Sequence, residues 1–83
     1  MDRVLVTLVV PSLGEQYDVF LPSFLKVKEL IPLLAEALTE ITGNRYVISG
    51  DEILCSDKQN AVLGRERTIK ECGIQNSDSV YLF

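Results

Sequence analysis

The chain has 83 residues, 47% of them hydrophobic and 24% charged, with a formal net charge of −4. That length fits one domain spanning 1–83, able to bury a core without metals or disulfides, and the composition excludes intrinsic disorder. Eight basic residues against twelve acidic ones, with no basic run, argue against nucleic acid or an anionic membrane surface as partner.

Residues 3–10 alternate in favour of a strand. Val4, Val6, Leu8 and Val10 are apolar, and the odd positions Arg3, Leu5, Thr7 and Val9 are mixed, so the even set is expected in the core. The run is too short to span a bilayer. Asp2 and the lack of a small-residue cleavage site argue against a secretory signal, and the expected location is cytoplasmic, without membrane insertion. Pro11 to Glu15 has turn chemistry. Residues 16–21 form a second strand with Tyr17, Val19 and Leu21 inward. Asp18 fixes its outward face, which Phe20 shares. The two strands pair as a hairpin.

A helix follows over 26–42, on the stripe Val27, Leu30, Ile31, Leu34, Leu38 and Ile41. Pro32 falls opposite that stripe, where water can satisfy the carbonyl it frees. Gly43 supplies the stop. Glu29, Glu36 and Glu40 share one narrow sector of the helix back, either a solvated face or a dock for a basic partner.

Residues 44–51 read as a short strand around Tyr46-Val47-Ile48 or as a loop that packs down. A third strand is expected over 52–57 and a short fourth over 61–63. Thr68 caps a single helical turn that Gly73 ends with φ > 0. The last strand is 79–83, with Val80 and Leu82 on one face and Tyr81 and Phe83 on the other. Cys55 and Cys72 lack CxxC spacing, and there is no histidine. They read as small buried thiols in a reducing compartment, with no metal site and no cofactor. Asp51, Glu52 and Asp57 sit in turn contexts and read as soluble turn formers. Without a nucleophile–base pair or a phosphate loop, no catalytic residue is assigned.

The order ββαββ, one helical turn, then β is the order of the ubiquitin-like β-grasp fold, an α+β architecture with a mixed sheet of four to five strands and one helix across it. The segment from Thr68 to Leu82 resembles the ubiquitin-like ending. Tyr17-Asp18-Val19-Phe20-Leu21 followed by Val27-Lys28-Glu29-Leu30-Ile31, the long apolar helix without a basic run, and Cys72-Gly73-Ile74 ahead of Asn76-Ser77-Asp78 resemble the YukD/EsaB family of small ubiquitin-like proteins from type VII (WXG-type) secretion loci. The stretch 43–52 is longer than the family pattern. The resemblance implies a cytoplasmic accessory protein of a bacterial secretion machinery that acts by protein–protein contact, with a membrane component of that machinery as partner.

In a grasp fold the sheet face away from the helix meets water. The strand phases place Leu5, Phe20, Tyr81 and Phe83 there, a candidate protein-binding patch and a surface for weak homodimers. The competing reading lets residues 44–51 fold over part of it. Glu29, Glu36 and Glu40 form the rival surface. Two alternatives are a ubiquitin-like interaction module outside secretion and a modifier or sulfur carrier. The second needs a flexible C-terminal Gly-Gly, and this sequence stops at Leu82-Phe83.

Overall fold

A computed structural model describes residues 2–83. Its elements are β1 (Arg3–Val10), β2 (Glu15–Pro22), α1 (Val27–Ile41), β3 (Leu54–Ser56), β4 (Ala61–Val62) and β5 (Ser79–Leu82). The strands form one mixed sheet in the order β2-β1-β5-β3-β4, parallel between β1 and β5 and antiparallel elsewhere. This is the ubiquitin-like β-grasp fold.

The hairpin forms as its pattern requires. Val10 and Pro11 carbonyls accept from Leu13 and Gly14, closing the turn, and β1 and β2 pair along eight positions. Val6, Leu8, Val10, Leu21, Val80 and Leu82 are buried against the helix. Tyr17 and Val19 are only partly buried, because β2 lies at the sheet edge and has a neighbour on one side only; Val4, on β1 ahead of the stretch that pairs with β5, is partly buried too.

Helix α1 starts on a reciprocal bond: the Glu29 carboxylate accepts the Lys26 N–H at 2.9 Å. It ends in a Schellman motif, in which Asn44 N–H bonds the Thr39 carbonyl and Gly43 N–H that of Glu40. Gly43 takes φ +60 there, which only glycine adopts without cost. Pro32 is exposed, as its phase requires. Ile41 is a correction. By angle it belongs to the stripe, yet it is 62% exposed and Ala35 is buried instead. The chain leaving the helix packs on the other side, where Thr42 Oγ1 accepts from Tyr46 N–H and Thr39 Oγ1 lies 3.4 Å from the Tyr46 carbonyl. Nothing is thereby laid over Ile41.

Residues 44–51 contain no strand, and β3 is shorter than the expected 52–57. One buried carboxylate organises this stretch. Glu52 is 5% exposed and accepts from Ser49 N–H, Gly50 N–H and the Tyr46 hydroxyl at 2.8–3.1 Å. The expectation of a soluble turn carboxylate fails here because the turn wraps around the side chain. Burial pushes the Glu52 carboxyl up. The N–H groups of Ser49, Glu52 and Gly50 and the Tyr46 hydroxyl outweigh that, leaving it below its ordinary value.

The single turn after β4 is capped at both ends. Thr68 Oγ1 accepts from Glu71 N–H, and the Glu71 carboxylate accepts from Thr68 N–H. Gly73, at φ +76, and Ile74 close a second Schellman motif onto Lys70 and Ile69. Ile69 and Ile74 are both buried, the apolar contact that accompanies this motif. Cys72 is buried, and burial pushes its thiol up. Cys55 is only half-buried, a correction to the expected pair of buried thiols.

Candidate functional site

The open face of the sheet is set by period 2 and strand register together. Phe20 on β2 stands directly opposite Leu5 on β1. Phe20 is 54% exposed, and the Arg3 guanidinium lies 4.2 Å from its ring centroid, a cation–π contact at one corner of the face. Two residues along, Thr7 faces Asp18 on one side and Ser79 on the other, with Thr7 Oγ1 donating to Asp18 at 3.3 Å. Asp57 N–H bonds the Ser79 carbonyl, so a polar row crosses the sheet.

Beyond that row, Val9 faces Tyr81, Tyr81 faces Cys55, and Cys55 faces Val62. Tyr81 and Phe83 stack with ring centroids 6.0 Å apart and planes 11° from parallel. Phe83 continues the β5 pairing by exchanging two 3.0 Å bonds with Ile53. The result is a shallow groove of ≈ 300 Å³ between the rings and the β3–β4 turn.

The structure therefore places Leu5, Phe20, Tyr81 and Phe83 all on the open face, in two groups rather than one. Leu5 and Phe20 form a small corner beside Arg3. Tyr81 and Phe83 belong to a larger apolar set that includes Cys55 and Val62, which sequence reading did not single out. Their membership depends on the β3–β5 register, and only the period-2 phase of β3 hinted at it. Residues 44–51 do not cover this face: their hydrogen bonds to the rest of the chain run to the helix, to Glu52 and, from Arg45, to Glu15 opposite the buried Val10, and Phe83 and Val62 are each 58% exposed.

The rival surface is differently composed. Glu29, Glu36 and Glu40 are exposed on the helix back. Glu29 is engaged in capping, and Glu36 borders a ≈ 190 Å³ notch with Ile48 and Arg65. Among the described residues, no helix is long and apolar enough to cross a membrane.

No protein-family model matches the chain, and no curated protein matches it in sequence. Solved structures do. The ubiquitin-like domain of the Mycobacterium tuberculosis type VII secretion system protein ECCD1 superposes with a TM-score of 0.78 at 14% identity, covering 99% of this chain and 98% of that one. A chain of the MycP5-free ESX-5 inner membrane complex matches with a TM-score of 0.73 at 19% identity, over 100% of this chain and 21% of that one. The UBL domain of Plasmodium falciparum Dsk2 matches with a TM-score of 0.72 at 14% identity, over 96% and 95%. The chain is thus similar in fold to ubiquitin-like domains of type VII secretion components and to the UBL domain of Dsk2.

Proposed function

We propose that the protein is a non-catalytic binding module of a type VII secretion system, akin to the YukD/EsaB proteins, that works in the cytoplasm by docking a membrane component of the machinery. The observation that carries the binding reading is the groove beside the stacked Tyr81 and Phe83. It is mostly apolar, aromatic and open, with Asp57 and Asn60 at its rim, and it lies outside a core that is already complete on the helix side. Contiguous exposed apolar surface with aromatic anchors is the usual composition of an interface. The secretion half of the reading is supported by whole-length likeness to the ECCD1 domain and by the sequence resemblance. Likeness to the Dsk2 domain keeps a ubiquitin-like module outside secretion as the second reading.

Co-purification from native extract tests both halves. Phe83→Asp is expected to weaken recovery of a secretion membrane component by about 2 kcal/mol or more in binding, with circular dichroism unchanged. Paired Glu36→Lys and Glu40→Lys changes are expected to alter mainly the association rate and its salt dependence. If the helix variants lose the partner and Phe83→Asp retains it, the wrong face has been chosen. Recovery of an unrelated partner through Phe83 removes only the secretion half.

A further inference from the structure

Two segments far apart in sequence run side by side at the start of the helix. Val27 N–H bonds the Arg67 carbonyl and Lys28 N–H that of Arg65; Ile69 N–H bonds the Leu25 carbonyl and Lys70 N–H that of Ser23. Lys26 and Thr68 form an antiparallel bridge between them. The pairing gathers Lys26, Lys28, Arg65, Arg67 and Lys70, five of the eight basic residues in the chain, with Glu66, Glu71 and the capping Glu29 of its twelve acidic ones. The local charge is +2 and the remainder of the protein carries −6. Glu66 lies 2.9 Å from Lys28 Nζ and 3.9 Å from Lys26 Nζ, so it joins the two lysines without neutralising the group. Phe24, 68% exposed, stands one residue from Ser23, the residue that receives the Lys70 N–H. Sequence reading found no basic cluster because the cluster exists only once residues 23–28 and 65–71 are paired.

The helix N-terminus itself adds nothing for an anion, since its first N–H groups already bond Glu29, Arg67, Arg65 and the Lys26 carbonyl. Affinity for negative charge must come from the five side chains, and apolar contact from Phe24. We propose that this surface docks an acidic segment of a partner protein, carrying an apolar side chain that packs on Phe24. Charge geometry favours a narrow segment over an anionic bilayer. A peptide strand feels the patch within a screening length of about 8 Å, whereas an extended anionic plane also meets the −6 carried by the rest of the molecule. The proposal stands apart from the binding face on the sheet.

The test uses the full chain and a synthetic peptide, Glu-Glu-Asp-Phe-Glu-Glu-Asp, titrated by NMR and by fluorescence anisotropy. Shifts are expected at residues 23–28 and 65–71, with binding that weakens as salt rises. Paired Lys28→Glu and Arg67→Glu changes are expected to lower affinity about tenfold or more and flatten the salt dependence. Phe24→Ser is expected to weaken binding while keeping that dependence, and Lys58→Glu, a basic residue outside the patch, to change neither. Shifts on Tyr81 and Phe83 instead, or none at millimolar peptide, overturn the proposal. So does stronger flotation with phosphatidylglycerol vesicles than binding to peptide, or a dimer that Lys28→Glu dissolves.

Discussion

The hydroxyl of Tyr46 donates a 3.0 Å hydrogen bond to the carboxylate of Glu52, and both side chains are buried. The pair pins the stretch between α1 and β3, which has no regular structure of its own. A buried acceptor with three donors holds such a segment better than scattered apolar contacts, because losing it strands the buried Tyr46 hydroxyl and releases two turn N–H groups at once.

Stability should follow the ionisation of this pair. The folded Glu52 carboxyl lies below its ordinary value, so the unfolded chain binds more protons. Its contribution is present above the ordinary carboxylate range and is lost as pH falls through the folded value. Glu52→Gln is expected to cost about 1–3 kcal/mol at pH 7 and to lessen the acid dependence, read from urea midpoints across pH. Burial, then the bond to Glu52, pushes the Tyr46 hydroxyl up to about 12. Ultraviolet titration should find a tyrosine ionising there. The associated stability holds below the ordinary tyrosine value and is lost between it and about 12.

The two thiols should differ in reactivity. Cys55 opens onto the groove beside Tyr81, whereas Cys72 is buried with its thiol pushed up. Native-state labelling is expected to modify Cys55 first and Cys72 only on opening of the fold. Cys72→Ser is expected to cost about 1–3 kcal/mol, since the hydroxyl would enter a site arranged for sulfur. Equal labelling rates would refute the difference.

Pro32 offers a stabilising change. It sits exposed inside α1, where its ring removes the bond to the Lys28 carbonyl. Pro32→Ala is expected to raise stability by about 1–3 kcal/mol, measured by thermal melting. A fall in stability would mean that the proline rigidifies the segment more than it costs the helix.

Weak self-association is expected through the sheet face, where Phe83 and Val62 are exposed. Sedimentation of the wild type at millimolar concentration should show concentration-dependent mass growth that Phe83→Asp abolishes. A strictly monomeric wild type would remove this expectation.

Much of the fold was legible because local chemistry and global packing agree. The alternation in residues 3–10, the phase that Asp18 imposes on β2, and the Thr68 and Gly73 signals are all satisfied within a few residues of themselves. What was illegible depends on distant partners. Glu52 reads as a turn acid until Tyr46 is placed beside it. The split between the Leu5–Phe20 corner and the Tyr81–Phe83 groove needs the offset of β5 against β1, which no single strand encodes. Ile41 has the right angle and the wrong neighbour.

The parallel pairing of β1 with β5 has a kinetic consequence. The hairpin and helix can form from nearby sequence, but Leu8 meets Val80 only after a loop of some seventy residues has closed. Chain-closure entropy falls on the central rung of the sheet, so folding should be slow for a domain of this size. During synthesis β1 emerges early and waits for its inner neighbour, with that edge unpaired and open to any competing strand.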